Sequence, residues 1–388
     1  MRVLIAFDKF KDSIGAAKAC EIAASAVAAE RPQWQVDRCP LTDGGEGFMD
    51  ILTRAAGGAE VPKAATGPRG GTIPASFGMV SMDRIPDAAR LRLGPAAAGP
   101  GGTVAIVEMA AASGLALLEP GMRDPWRASS VGTGELIRAA ANAGARAILL
   151  GVGGSATHDL GLGALGALGV RFEGSSGKAL FPLVPADWKS LRRIEGTVAA
   201  GLPPLLIACD VDNPLLGPRG ALAVYGRQKG LDPAGYAGLE AETGRIAALV
   251  CGHFSRPAEL VSVPGTGAAG GIAFGLMAAA GASLLPGFDL VSSWLDLDAR
   301  LAEADVVMTG EGRFDDSSLS GKGPGTVARR ALSQGKQVHV FAGEVSLSQS
   351  VAGLHTHPVT PPGTALAIAL SRAPEFLGDA VRRALSRR

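Results

Sequence analysis

The sequence has 388 residues, 47% of them hydrophobic and 19% charged, and its formal net charge is +1. This composition indicates a globular protein of two domains or of one domain with a large insertion, and it argues against general binding to nucleic acid or anionic membranes. The four cysteines form no CxxC pair, which favours reduced thiols and a cytoplasmic location.

The first predicted elements are a buried strand at residues 2–7 and an Ala-rich helix at 15–31. Between them stands DKFKDS, residues 8–13, at a strand end of the kind where open α/β sheets bind ligands. Lys11 can reach a phosphate group from this position, and Ser13 can cap the helix. A solvated turn that ends in a helix cap is the alternative interpretation.

A second strand is predicted at residues 35–39 and a helix at 47–56, with DGGEG between them at 43–47. Asp43 and Glu46 stand close together on a glycine-rich backbone, so their carboxylates can hold Mg²⁺ through water. An ordinary glycine turn with a capping aspartate explains the same pattern.

The central part of the chain begins with strands predicted at residues 72–80 and 103–109. The stretch 83–102 between them is rich in Arg, Pro and Gly, which predicts an exposed hairpin or loop. A helix at 132–143 and a strand at 146–151 follow.

A glycine-rich loop, GVGGSATHD at residues 151–159, joins the last of these strands to a helix predicted at 161–168. Backbone N–H groups and the positive end of a helix can bind an anion in such a loop. The loop matches neither a Walker A motif nor GxGxxG in the right frame, and a tight packing turn is the alternative.

The segment CDVDNPL, residues 209–215, follows a strand predicted at 204–209. Asp210 at this strand end can accept a proton from a substrate hydroxyl, which is the base that a kinase needs. Asn213 can orient a ligand carboxylate or a metal-bound water. The alternative is an Asx turn ahead of Pro214.

Residues 261–288 carry no charge, which raises the question of a membrane span. Ala is their commonest apolar residue and Gly is equally frequent, whereas a spanning helix would be richer in Leu, Ile and Val. We therefore predict a buried glycine loop and a buried helix at 269–281, preceded by another helix at 235–250.

The C-terminal part predicts a helix at residues 292–303, a strand at 304–310 and a polar loop at 310–325. Charges of both signs between glycines suit a clamp for metal and phosphate, and a solvated surface loop is the alternative. The charged side chains of interest in this loop are Glu311, Arg313, Asp315 and Lys322. The last predicted elements are a helix at 325–334, a strand at 337–343 and helices near 364–371 and 375–387.

Strands and helices alternate at both chain ends, which predicts a parallel sheet with crossover helices. We predict an α/β fold in which residues 1–71 and 288–388 form one Rossmann-like, doubly wound domain. Residues 72–287 then form an inserted second α/β domain. Because an insertion is joined at two crossings, we expect a cleft between the domains and the active site within it.

Five loops at predicted strand ends are rich in Gly, Asp, Glu and Lys. Phosphoryl transfer suits this set because the reaction needs positioning, cations near the moving charge and a base, with no covalent intermediate. No Ser-His-Asp order, cysteine nucleophile or haem motif competes with this interpretation. A dinucleotide oxidoreductase is disfavoured because no GxGxxG with a ribose-binding acid follows the first strand.

Six motifs carry a family resemblance: FDKFKDS, PLTDGGEG, GVGGSATHDLGLGALGALG, CDVDNPL, PGTGAAGG and TGEGRFD followed by GK. Together they resemble the bacterial glycerate kinase family of the type that includes the glycerate 2-kinases, in the right order and over essentially the whole chain. The resemblance implies phosphorylation of D-glycerate by ATP with Mg²⁺, and it favours 2-phosphoglycerate over 3-phosphoglycerate. We expect a small-molecule substrate, no nucleic-acid or membrane partner, and a monomer or homodimer.

The matching positions imply roles for individual residues. Asp210 is expected to be the catalytic base, and Lys11 is expected to neutralise phosphate or carboxylate charge. The expected substrate-binding residues are Asp8, Ser13, Asp159, Asn213, Arg313 and Lys322. The expected nucleotide-binding residues are Gly153, Gly154, Ser155, Thr157 and Asp315, and the expected Mg²⁺ ligands are Asp43, Glu46 and Glu311.

Three places depart from the family pattern. Lys9 stands where a small hydroxyl residue is expected, His158 where Asn is usual, and residues 316–317 near where Gln is typical. These positions lie inside the site loops, so they can shift substrate preference. A kinase of another small hydroxy acid, and a non-catalytic ligand-binding protein on the same fold, are the alternatives.

Overall fold

The computed structural model describes residues 1–94, 101–175, 177–321 and 323–386. Within the described residues the strands are β1 (Arg2–Phe7), β2 (Gln35–Arg38), β3 (Ala59–Thr66), β4 (Thr72–Ser81), β5 (Thr103–Glu108), β6 (Ala147–Gly151), β7 (Arg171–Gly174), β8 (Leu191–Glu195), β9 (Leu205–Ala208), β10 (Ser283–Leu285), β11 (Val306–Asp315), β12 (Gln337–Ser346) and β13 (Leu354–Pro358).

The helices lie between these strands and confirm the mixed α/β composition. In chain order they are α1 (Ala16–Glu30), α2 (Phe48–Ala55), α3 (Asp87–Leu93), α4 (Ala110–Ser113), α5 (Val131–Asn142), α6 (Leu162–Ala167), α7 (Ala221–Tyr225), α8 (Tyr236–His253), α9 (Ala268–Ala280), α10 (Gly287–Trp294), α11 (Leu297–Glu303), α12 (Asp316–Ser320), α13 (Pro324–Ser333), α14 (Leu366–Ser371) and α15 (Ala373–Ser386).

The chain separates into two compact units. The first unit comprises Met1–Asp43 and Val291–Arg388, and the second comprises Gly44–Leu290. The first unit holds a sheet in the order β13-β12-β11-β1-β2, in which every neighbouring pair is parallel. Parallel strands place their carboxyl ends at one sheet edge, so the segments that follow β1, β2 and β11 emerge together.

The core of the first unit forms because the apolar stripe of α1 packs on β1. Ala19, Cys20 and Ala23 of α1 are buried against the strand, whose last five residues are all fully enclosed. Helix α15 covers the same cluster with Leu377 and Val381. A strand buried this completely reads as one apolar run, which is why β1 is recognisable in the sequence.

Strands β11 and β12 are longer than the sequence predicted. The expected strand at 304–310 continues to Asp315 and stays paired to β12 through Ser346. The two backbones approach closely at Gly310, where an added Cβ would lie 1.9 Å from the carbonyl oxygen of Phe341. The glycines that suggested a loop therefore permit close strand pairing instead.

The second unit holds a mixed sheet in the order β10-β9-β6-β5-β4-β3. Strand β3 pairs antiparallel with β4, and β4 antiparallel with β5, whereas the other pairs are parallel. Because β3 belongs to this sheet, the boundary that the sequence placed at 71/72 lies at 43/44 in the structure. The doubly wound arrangement of helices in the first unit stays a prediction.

The predicted loop at 83–102 contains a short helix. Helix α3 begins at Asp87 and ends before Gly94, and it buries Ala89 and Leu93 completely or nearly so. Residues 95–100 of this stretch lie outside the described residues. The prediction of a loop missed α3 because arginines surround its two buried positions.

No helix among the described residues has the length and apolar character needed to cross a membrane.

Candidate functional site

The turn after β1 is held by hydrogen bonds within the turn and by one hydrogen bond to β11. The Asp8 N–H donates a hydrogen bond to the carbonyl of Gly310 over 3.0 Å, and Phe10 pairs with Ile14 as an isolated bridge. The Ser13 hydroxyl donates to the Phe10 carbonyl over 2.9 Å. Helix α1 instead starts after a glycine without a side-chain cap, so the prediction that Ser13 caps this helix is wrong.

The ends of β1 and β2 are joined by an ion pair. The Lys9 Nζ lies 3.3 Å from Oδ1 of Asp43, and both side chains are partly exposed. The Lys11 backbone lies beside β11, where a Cβ on Gly312 would be 3.3 Å from the Lys11 nitrogen. The first motif, the start of the second motif and β11 are therefore neighbours within the first unit.

Glu311 is the most perturbed carboxylate at this edge. Partial burial raises its pKa to about 7, and the negative charges of Asp8, Asp315 and Asp43 add to the rise against a hydrogen bond from Ser318. Four carboxylates from three strand ends therefore act on one another. Among the described residues, however, no group of three or more His, Cys, Asp or Glu side chains has an arrangement that could hold a metal ion.

Asp315 forms the N-cap of α12. Its Oδ1 accepts hydrogen bonds from the backbone N–H groups of Ser317, at 2.9 Å, and Ser318, at 3.2 Å. Hydrogen bonds from Ser317 and Ser318 lower the pKa of Asp315. Arg313 lies 3.3 Å from the same carboxylate and is largely exposed. Lys322, the last predicted residue of this loop, lies outside the described residues.

In the second unit, the loop after β6 packs directly on the glycines before α2. The Gly153 N–H donates to the Gly44 carbonyl over 2.9 Å. Gly154 has φ +70°, and an added Cβ there would lie 2.4 Å from Oε1 of Glu46. The glycines permit this contact between two loops, which is the tight packing that the sequence left open as an alternative.

Lys229 is a buried residue of this region that the sequence did not single out. It is 3% exposed, and its Nζ donates to the Ser155 hydroxyl over 2.8 Å and to the Thr157 carbonyl over 2.7 Å. Burial lowers the pKa of Lys229 to about 7, although the Asp159 carboxylate opposes this shift. No motif surrounds this lysine, so only the three-dimensional arrangement reveals it.

Asp159 anchors the glycine loop from inside. It is 0% exposed, and its Oδ2 accepts from the N–H and the hydroxyl of Ser130, both at 2.8 Å. The N–H groups of Gly161 and Gly163 donate to it over 3.2 Å each. Burial raises the pKa of Asp159 against these hydrogen bonds. This aspartate holds the loop rather than facing a solvent-accessible ligand.

His158 is fully enclosed as a neutral imidazole. Its Nε2 lies 3.0 Å from the Thr243 hydroxyl, which itself donates to the Leu239 carbonyl over 2.7 Å. We therefore assign the tautomer with a proton on Nε2. Burial and the charge of Lys229 lower the pKa of His158 to about 3.

Asp210 and Asn213 both emerge after β9. Oδ2 of Asp210 accepts from the Phe288 N–H over 2.7 Å at the start of α10. The Asn213 amide donates to the Arg219 carbonyl over 2.8 Å and accepts from the Tyr225 hydroxyl over 2.7 Å. Asp210 remains partly exposed, whereas the Asn213 amide is engaged by protein at both ends.

Strained backbone surrounds the glycine loop. Ala269, Gly270 and Gly271 are three consecutive residues with left-handed φ values of 53°, 70° and 86°. The Leu160 N–H donates to the Gly270 carbonyl over 3.1 Å, and Leu160 itself has φ 54°. Strain at the two non-glycine residues, Ala269 and Leu160, persists where the surrounding structure enforces it, and such strain is often found at functional sites.

The predicted residues therefore fall into two groups, one in each unit. Within the first unit the structure brings together Asp8, Asp43, Glu311 and Asp315. Within the second unit it brings together Glu46, Gly154, Ser155 and Thr157, with Lys229 as the residue that the sequence missed.

Comparison with known proteins identifies what the sequence resembles. The profile of the glycerate kinase family matches residues 3–387. The chain is 34% identical to a Bacillus subtilis (strain 168) protein named glycerate kinase, over 98% of this chain and 96% of that protein. It is 36% identical to a protein of Escherichia coli (strain K12) named glycerate 2-kinase, over 92% of this chain and 89% of that protein.

A solved structure is similar over the full length. This crystal structure, described as "putative glycerate kinase 2 from Salmonella typhimurium LT2", shares 34% sequence identity with the chain and has a TM-score of 0.73. The match covers 100% of this chain and 97% of that one.

Proposed function

The chain belongs to the glycerate kinase family, and we propose that it transfers the γ-phosphoryl group of ATP to a hydroxyl of D-glycerate. The product that we propose is 2-phosphoglycerate, with 3-phosphoglycerate less favoured, because the Escherichia coli relative is named glycerate 2-kinase. The four cysteines are free thiols, which supports a cytoplasmic enzyme. We expect a monomer or homodimer.

The grouping of charged side chains at the carboxyl ends of β1, β2 and β11 carries this proposal. Lys9 pairs with Asp43, and the Asp8 backbone is bonded to Gly310 immediately before Glu311. Phosphoryl transfer requires cations and carboxylates held in fixed positions, and strand ends provide such positions.

Carboxylate oxygens are ligands that suit Mg²⁺, and this ion usually binds through one or two carboxylates together with waters and substrate phosphates rather than through a preformed group of three or more protein ligands. Asp43 and Glu311 are proposed to hold it in the first unit, and Glu46, three residues after Asp43 in the sequence, is also a proposed ligand. When bound, Mg²⁺ would neutralise phosphate charge and orient the triphosphate. Lys11, which is not buried, is proposed to add positive charge close to the phosphate or carboxylate groups.

Asp210 is the proposed general base. It stands at the end of β9, and the Phe288 N–H holds its Oδ2 in place. A carboxylate oriented in this way can take the proton of the glycerate hydroxyl as that oxygen attacks phosphorus. The proposed base lies in the second unit, whereas Lys11, Asp43 and Glu311 lie in the first.

The remaining residues have narrower proposed roles. Asp8, Ser13 and Arg313 are proposed to contact glycerate. Asp159 and Asn213 are proposed to position the loops that carry the site, because their polar atoms are engaged by protein donors and acceptors. Nucleotide binding is proposed for Gly153, Gly154, Ser155, Thr157 and Asp315.

The test is phosphorus NMR of reaction mixtures that contain the protein, MgATP and one hydroxy acid at a time. D-glycerate should give ADP and a 2-phosphoglycerate signal, whereas L-glycerate and other small hydroxy acids should react more slowly. A 3-phosphoglycerate signal would show that the 3-hydroxyl of glycerate, rather than the 2-hydroxyl, receives the phosphoryl group. Faster turnover of another hydroxy acid than of D-glycerate would assign that acid as the substrate. Binding of D-glycerate without turnover would favour a non-catalytic ligand-binding protein.

A further inference from the structure

A groove in the second unit is lined by two arginines without acidic partners. Its volume is about 530 Å³, which lies within the range of small-molecule sites. The lining residues are Pro120, Arg123, Val224, Arg227, Gln228 and Gly230. Across the described part of the chain, neither Arg123 nor Arg227 forms an ion pair. Two uncompensated guanidinium groups in one groove favour an anionic ligand.

One of the two guanidinium groups also contains an unsatisfied donor. The Nε of Arg123 is buried and has no hydrogen-bond partner within the described ranges. Buried donors in folded proteins are nearly always paired, so an unpaired one needs an explanation such as an absent ligand. This donor lies below the groove surface, so an anionic oxygen in the groove reaches it only when the Arg123 side chain rotates toward the groove.

The groove is built on a fixed backbone. Gly230 has φ +90°, and an added Cβ there would lie 2.2 Å from the Arg123 carbonyl oxygen, so the two sides of the groove are in direct contact. Lys229 anchors the same turn from inside through its bonds to Ser155 and Thr157. An anchored turn avoids the cost of ordering a mobile backbone segment when a ligand binds.

We propose that this groove binds a small dianion that carries a phosphate group. Guanidinium groups match the geometry of phosphate oxygens and remain charged at any pH where the protein is folded. Two such groups favour a dianion, and the Gln228 amide adds a further donor. Val224 is 48% exposed, and with Pro120 it offers an apolar wall for a small organic substituent. None of the residues that line the groove is among those proposed to take part in the reaction.

The test is isothermal titration calorimetry of the full chain with inorganic phosphate and, separately, with glycerol 3-phosphate, at constant ionic strength in a chloride buffer. We expect saturable binding at one site per chain. The double variant Arg123→Gln/Arg227→Gln should weaken binding tenfold or more. Arg193→Gln is the matched control, because this exposed arginine lies on β8 and pairs with Glu195 outside the groove; it should bind like the wild type.

The two probes distinguish the source of the anion. Tighter binding of glycerol 3-phosphate assigns the groove to organic phosphates, and equal binding assigns it to phosphate itself; either result supports the dianion site. Absence of saturable binding of both probes would overturn the proposal. Binding that survives unchanged in the double variant would also overturn it, because the anion would then sit elsewhere.

If the double variant misfolds, a single substitution at Arg227 still tests the proposal. Arg227 is exposed, so Arg227→Gln should unfold at the same temperature as the wild type. It should weaken phosphate binding severalfold, and Arg227→Lys, which keeps the charge, should bind with intermediate affinity. Equal affinity of Arg227→Gln and the wild type would contradict the proposed site.

Discussion

His158 is enclosed beside a buried lysine, and its protonation must therefore oppose folding. Its pKa is about 3 in the folded chain against 6.5 for an ordinary histidine. Between these values the unfolded state binds more protons, so stability is lost as the pH falls below 6.5. The same group contributes no pH dependence above neutrality.

We predict that His158→Asn removes this loss. An asparagine amide can still donate to Thr243, and it does not titrate. Chemical denaturation at pH 7 and pH 5 should show the free energy of unfolding of the wild type falling by about 2 kcal/mol more than that of the variant. Equal losses in the two proteins would mean that His158 is not held neutral.

Ionisation of Glu311 changes stability with pH in the opposite direction to protonation of His158. Its pKa is about 7 in the folded chain against 4.5 ordinarily, so the folded state binds more protons between these values. Stability that is present at low pH is therefore lost as the pH rises through 7. In metal-free buffer, Glu311→Gln should gain roughly 2 kcal/mol relative to the wild type between pH 5 and pH 8.

The matched control is Glu344→Gln on the neighbouring strand β12, where the glutamate is 64% exposed. Its free energy of unfolding should run parallel to that of the wild type across the same range. Asp8→Asn should reduce the loss of stability because it removes one of the negative charges acting on Glu311. A Glu311→Gln profile parallel to the wild type would contradict the assigned pKa.

At the scale of single residues, the sequence identified charged side chains at strand ends but not the contacts that they make. Asp8, Asp43 and Glu311 were recognisable because carboxylates at strand ends form a pattern. Lys229 was not, since a lysine in a turn ordinarily faces water. Its burial depends on where the turn packs against the loop after β6, and that contact joins residues far apart in the chain.

At the scale of elements, the start of α9 tolerates little change. Gly270 has φ +70°, and an added Cβ would lie 2.0 Å from the Thr157 carbonyl oxygen. Gly270→Ala therefore combines left-handed strain with overpacking, and we predict a loss of about 2–4 kcal/mol in the free energy of unfolding. Denaturant titration measures this loss.

The same helix offers a matched control at its other end. Gly281 has φ +65° and nothing within 4 Å of an added Cβ. Gly281→Ala should therefore cost only about 1 kcal/mol, which is the strain term alone. Equal losses for the two variants would show that the contact with Thr157 does not constrain the helix.

Element types followed from apolar periodicity, but several boundaries did not. Asp296 has φ 49° and separates α10 from α11, where the sequence predicted one helix at 292–303. Strand β11 continues through glycines that resembled a loop, because its partner β12 is as long. Both differences depend on conformations or pairings that no local pattern specifies.

At the scale of the whole molecule, the chain divides into two units, of which the first holds a parallel sheet and the second a mixed sheet. The parallel sheet of the first unit followed from the strand–helix alternation at both chain ends. The antiparallel pairing of β3 with β4 did not, so the boundary near residue 71 was misplaced. The family assignment was confirmed because it rested on six motifs in order rather than on any single loop.

The measurement that tests the central claim most directly is steady-state ADP release with MgATP, with and without D-glycerate, for the wild type and Asp210→Asn. The asparagine keeps an oxygen for the Phe288 N–H, so the start of α10 should stay intact. We predict that the wild type releases ADP only with D-glycerate and that the variant is slower by about 10²–10⁴-fold. Release that does not depend on D-glycerate would contradict the claim, and full activity in the variant would remove Asp210 as the base.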